Sequence, residues 1–147
     1  MSRAFVKEND LEHAGIDIPE RSISSEPNYV TQNGYDELKK NLETLEKEIK
    51  HLKQLDDSPE NKQKTMKLER DLRYFFNRIE SSIVVKSINQ DHDKVLFGAW
   101  VKLIDEDNKD YLFQIVGEDE ADIKKNKLSY VSPLAKSLLG NRVGDEV

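Results

Sequence analysis

Between Tyr35 and Leu52 the apolar residues recur at alternating spacings of three and four: Tyr35, Leu38, Leu42, Leu45, Ile49 and Leu52. That is the stripe of a helix with one coiled-coil face. Thr31 just before Gln32 marks the helix start, and Asp36 and Glu37 come early enough to meet the positive end of its dipole. Gly34 in the same turn works against it. The stripe stops at Asp56, Asp57, Ser58, Pro59, Glu60 and Asn61. Pro59 cannot sit inside a helix but suits the first turn of a new one. A second stripe follows through Leu68, Leu72, Phe75 and Ile79. If the chain doubles back, one register pairs Leu52 with Thr65, Ile49 with Leu68, Leu45 with Leu72, Leu42 with Phe75, Leu38 with Ile79 and Tyr35 with Ser82. An antiparallel helical hairpin is predicted. Two helices alone bury little, so the hairpin is expected to be an arm held at its bulky end (Tyr35, Leu38, Phe75, Phe76, Ile79), with the turn as its freer end.

After Val85 the period changes. Val95–Ile104 and Tyr111–Val116 are apolar, β-branched and aromatic runs around a polar turn, which predicts a strand hairpin. Lys127–Val131 reads as a third strand. Ser132 then caps a short helix through Leu139, with Pro133 in its first position. The chain ends at Val147 where a further strand is expected to start. Residues 1–28, with Pro19, Pro27 and Ser22–Ser25, read as an extended segment. The expected organisation is α+β: an extended segment over 1–28, the helical hairpin over 29–86, and a small antiparallel sheet domain with a short helix over 87–147.

Charge narrows the function. Charged residues make up 35% of the 147, and the net charge is −6, but no region concentrates positive charge. Residues 1–28 hold three basic and six acidic side chains, 29–86 hold twelve and eleven, and 87–147 hold eight and twelve. A duplex DNA reader shows a concentrated basic face, so a protein partner is the better expectation. The absence of cysteine excludes disulfides and thiol catalysis, and His13, His51 and His92 make no metal-ligand spacing. No apolar run approaches the ~20 residues that span a bilayer. A cytoplasmic monomer is expected.

The chemistry sits in the turn. Asp57 and Glu60 are three apart, hence on one face if the second helix has begun between them. Two such carboxylates are able to complete a Mg²⁺ site, since Mg²⁺ takes one or two carboxylates and keeps several waters, but not to build one alone. The plainer reading is a helix start, with Asp57 or Ser58 as cap and Glu60 meeting the dipole. Lys62, Lys64, Lys67, Arg70 and Arg73 form either a solvated face or a set of phosphate contacts. The acidic stretch Glu118–Asp122 is a metal candidate that reads more simply as a solvated loop.

The run FGAWVKLIDED, then YLFQIVGEDEAD, then LSYVSPLAKSLLGNRVGDEV, behind a hairpin with an acidic turn, resembles the Gre transcript-cleavage factors of bacterial RNA polymerase. The opening MSRAFVKE, with PNYVT before the first helix, is similar to the GreB-like branch. The resemblance covers residues 1–8 and nearly everything from Tyr29 onward. It implies an FKBP-like C-terminal domain docking on the rim of the polymerase secondary channel through Ser132, Pro133 and Leu134, and an arm reaching down that channel. It implies that Asp57 and Glu60 help to hold a second Mg²⁺ shared with the polymerase active centre, so that the polymerase cleaves backtracked nascent RNA. Asp56 and Asn61 would support the tip, and Lys62, Lys64, Arg70 and Arg73 would contact RNA or channel. The protein would then be a cofactor of the polymerase, with no metal of its own. The arm is about one heptad shorter on each side than in the best-known members, which at ~1.5 Å per residue is on the order of 10 Å of reach. A channel-binding regulator without cleavage is therefore the alternative. An isomerase function, implied by the FKBP-like fold alone, is a weaker third.

Overall fold

The computed structural model describes residues 18–86 and 92–147. Of the segment expected to be extended, residues 1–17 lie outside the described residues, and 18–28 form neither helix nor strand. The elements in order are β1 (Tyr29–Val30), α1 (Gln32–Lys53), α2 (Pro59–Ser81), β2 (Ile83–Val84), β3 (Trp100–Ile104), β4 (Asp110–Val116), a 3-10 turn (Ile123–Lys125), β5 (Lys127–Ser129) and α3 (Pro133–Leu138). The chain is α+β and divides into two compact units. One holds the described part of Met1–Ser24 with Lys39–Glu80; the other holds Ser25–Leu38 with Ser81–Val147.

Both helices start where the sequence places them, α1 at Gln32 and α2 at Pro59. Ile49 is buried, while Leu42, Leu45, Leu52, Leu68, Leu72 and Phe75 are half-buried, as a two-helix seam allows. Ile49 and Leu72 line one groove, Leu52 and Thr65 another, and Lys53 Nζ reaches Glu69 at 3.3 Å across the seam. Phe76, expected in the core, is 56% exposed. It follows Phe75 by one residue, and adjacent positions on a helix do not share a face.

The second unit carries two small sheets. β3 and β4 pair antiparallel, Val101 opposite Phe113 and Leu103 opposite Tyr111. β3 is shorter than the apolar run predicted, because Gly98 stands at φ +87°, a left-handed conformation that no strand continues through. β5 pairs with β4 in parallel, Ile115 opposite Leu128, so the sheet is mixed rather than purely antiparallel. The loop after β4, wound into the 3-10 turn, brings the chain back to start β5 in the same direction. Ile115, Leu128, Ala135 and Leu138 form the core, with Val95, Phe97, Val101, Leu103, Phe113, Tyr130 and Leu139 packed against it. β1 and β2, two residues each, form a parallel ribbon that the sequence reading did not foresee. Tyr29 of β1 packs edge-on to Tyr130 at 5.5 Å and lies 6.1 Å from Phe97.

The β3–β4 turn is closed by Asp105, whose carboxylate accepts from the N–H groups of Lys109 and Asp107, both at 2.9 Å, and from the Tyr111 hydroxyl at 3.2 Å. The hydrogen bond from Lys109 leads the causes that hold this carboxyl below its ordinary value. A depressed folded value stabilises above the unfolded pKa and loses that contribution as pH falls through the folded one. The protection factors of the Asp107 and Lys109 amides, which remove the intrinsic pH dependence of exchange, are therefore expected to be high at neutral pH and to fall only as the pH drops below the ordinary value of 3.8. An Asp105→Asn chain that kept the same acid-side loss would overturn this account.

Candidate functional site at the turn of the hairpin

α1 ends by tightening: the N–H of Gln54 bonds the carbonyl of His51, and that of Leu55 the carbonyl of Leu52, both at 3.1 Å and three residues back. α2 starts at Pro59, whose missing N–H would have had no helical partner there in any case. Its cap is Ser58, which accepts from the Asn61 N–H at 3.1 Å through Oγ and from the Lys62 N–H at 3.0 Å through its carbonyl. The Asn61 side chain closes the turn, donating through Nδ2 to the Asp56 carbonyl at 3.1 Å and to Asp56 Oδ1 at 2.7 Å. Thr65 Oγ donates to the Asn61 carbonyl at 2.8 Å.

The sequence left the cap open between Asp57 and Ser58, and the structure assigns it to Ser58. Every hydrogen bond that holds the turn is thus made by Asp56, Ser58, Asn61 or the backbone. Asp57 and Glu60 are exposed, and among the described residues neither makes a hydrogen bond or an ion pair. Glu60 keeps a favourable place in the first turn of α2, worth about 0.3–1 kcal/mol against the dipole. Both carboxylates are free to take a ligand without unfastening anything.

The cations expected beside them divide into two kinds. Lys62 and Lys64 are exposed. Lys64 and Lys67, with Lys47 and His51, rim a groove floored by Leu52 and Leu68. Arg70 and Arg73 instead already hold carboxylates: Arg70 bonds Asp71 at 3.1 Å, and Arg73 bonds Glu20. Ser132, Pro133 and Leu134 belong to the other unit. Ser132 Oγ accepts from the Ala135 N–H at 3.3 Å, Pro133 opens α3, and Leu134 is 39% exposed.

The acidic stretch Glu118–Asp122 is not a solvated loop throughout. Glu120 is buried, and its carboxylate accepts from the Thr31 hydroxyl, from Asn33 Nδ2 at 3.1 Å and from Lys127 Nζ at 3.1 Å. Thr31 Oγ in turn accepts from the Gly34 N–H at 2.9 Å, capping α1. A Cβ on Gly34 would lie 2.6 Å from Glu120 Oε1, so the glycine that disfavours the helix makes room for its anion. The lone signal in the sequence was that misplaced glycine. Asp122 caps the 3-10 turn.

Among the described residues no group of three or more His, Asp or Glu side chains is placed to hold a metal. A pair of uncommitted carboxylates fits a Mg²⁺ whose remaining ligands come from elsewhere. The family described as transcription elongation factor, GreA/GreB, C-terminal, matches residues 90–147. Transcription elongation factor GreB of Neisseria meningitidis serogroup B is 35% identical over 135 residues, which cover 82% of this chain and 83% of that protein. The chain belongs to the GreA/GreB family. Transcription elongation factor GreA of Nautilia profundicola is 38% identical over 133 residues, 80% of this chain and 82% of that one. Among solved structures, GreA factor homolog 1 of Thermus thermophilus matches with a TM-score of 0.40 and 24% identity, over 82% of this chain and 87% of that one. As a GreA/GreB member the protein is a transcription elongation factor, and among its described residues no helix is long and apolar enough to cross a membrane.

Proposed function

We propose that this Gre-family protein binds bacterial RNA polymerase at the secondary channel and stimulates hydrolysis of backtracked nascent RNA through Asp57 and Glu60. The observation that carries the reading is the division of labour in the turn: Ser58 and the Asn61–Asp56 pair hold it, leaving two carboxylates uncommitted. When bound, Mg²⁺ supplies charge stabilisation at the phosphoryl oxygens and an activated water. Asp57 and Glu60 would hold that ion together with polymerase groups, and Pro59 between them fixes one backbone torsion, so their spacing changes little as the ligand arrives. Lys62 and Lys64 would neutralise phosphates of the displaced RNA. Ser132, Pro133 and Leu134 would dock on the channel rim. The protein would act as a monomer in the cytoplasm, lending carboxylates to the polymerase's own chemistry.

Transcript cleavage on a backtracked elongation complex tests this directly. Shortening of the RNA from its 3′ end by the wild type, and its loss with Asp57→Ala/Glu60→Ala, is the expected result. Polymerase binding without any shortening would replace the proposal with the non-cleaving channel regulator.

A further inference from the structure

Residues 18–24 take no part in the turn, yet they lie along α2. Glu20 accepts from Arg73 Nε at 3.0 and 3.2 Å and from Arg73 Nη2 at 2.5 Å. The Arg21 guanidinium sits 3.8 Å from the Tyr74 ring centre and 5.4 Å from that of Phe75. Its Nη1 is 3.5 Å from Asp71 Oδ1, the oxygen that Arg70 also holds. The contacts of Glu20 and Arg21 are ionic or cation–π, and the segment's Ile23 is 47% exposed. Exposed ion pairs and an exposed cation–π contact are each weak, so the segment is seated but easily lifted.

The seat has a particular chemistry. A carboxylate across Nε and Nη2 of an arginine occupies the same fork that a phosphate takes. We propose that residues 18–24 are an exchangeable acidic strap, which holds Arg73 through Glu20 until a phosphate of single-stranded RNA displaces it. The inference rests on the reading above that this helix meets RNA. An isolated anion gains little over Glu20, which is tethered and already in place. An RNA strand that also engages Lys62 and Lys64 brings several phosphates at once and outcompetes it. The strap then keeps Arg73 from binding stray anions and removes a negative charge from the face only when RNA arrives.

The test uses the full chain, with a fluorescein-labelled twelve-nucleotide oligouridine as probe at low salt. Limited trypsin digestion at the Arg21–Ser22 bond reports whether the strap is seated. RNA is expected to accelerate that cleavage in the wild type. Glu20→Gln is expected to bind the RNA about fivefold more tightly, the ratio that corresponds to one exposed ion pair. Adding Arg73→Ala should cancel the gain. Glu43→Gln, the same charge change at an exposed position of α1, controls for net charge. An equal gain in that control, no gain in Glu20→Gln, or a trypsin rate indifferent to RNA would overturn the strap. None of these readouts needs polymerase or cleavage, so failure of the tip carboxylates in transcript cleavage is a separate result.

Discussion

Alanine at Asp57 or Glu60 is expected to lower stimulated transcript cleavage about 100-fold, the size seen when one preorganised charge-stabilising group leaves a reaction centre. Stability should stay within about 0.5 kcal/mol of the wild type, since neither side chain is bonded within the described protein. That separation of activity from stability is what the hydrogen bonds of the turn require. Ser58→Ala should do the opposite, costing about 1 kcal/mol of helix capping while leaving both carboxylates in place. If Asp57 and Glu60 hold a shared Mg²⁺, raising its concentration should restore part of the activity of either single variant and less of the double one. Cleavage by the double variant equal to wild type would overturn the assignment. Binding to polymerase, measured in parallel, separates a lost ligand from a lost contact.

The largest stability effect is expected at Glu120. Removing its carboxylate leaves Lys127, whose side chain is 17% exposed, without its partner, and takes an acceptor from Thr31 and Asn33. Breaking a buried pair from one side costs about 3–5 kcal/mol, and partial exposure of Lys127 puts Glu120→Ala near the lower end. Trp100, the chain's only tryptophan, lies in the same unit and reports its unfolding in urea. A sharper version uses Gly34. In an ordinary helix Gly→Ala stabilises by about 1 kcal/mol. Here the added methyl would drive the Glu120 carboxylate from its donors, so Gly34→Ala is expected to destabilise the wild type. In the Glu120→Ala background the obstacle is gone and the same change should stabilise. The same sign in both backgrounds would show that the contact does not govern this glycine.

Both results concern acidic side chains, and they were unequally legible beforehand. Asp57 and Glu60 stood out because a turn between two apolar stripes is a local feature, written in consecutive residues. Glu120 did not, because its donors at Thr31, Asn33 and Lys127 are scattered along the chain, and its surroundings read as an acidic loop. Gly34 carried the only hint. The strap was hidden for the same reason: Glu20 and Arg73 are 53 residues apart, and neither stripe nor turn chemistry links them.

Helical and strand periodicity, proline and cap positions are short-range, so the chain by itself settled two helices about a proline turn, a strand hairpin, a third strand and a capped short helix. Side-chain partnership is long-range. Only the folded arrangement decided that β5 joins in parallel, that Phe76 faces solvent, and that Ser58 rather than Asp57 caps α2. Whether a carboxylate is spent on structure or left for a ligand depends on which donors the fold brings within about 3 Å of it, and spacing along the sequence does not contain that distance.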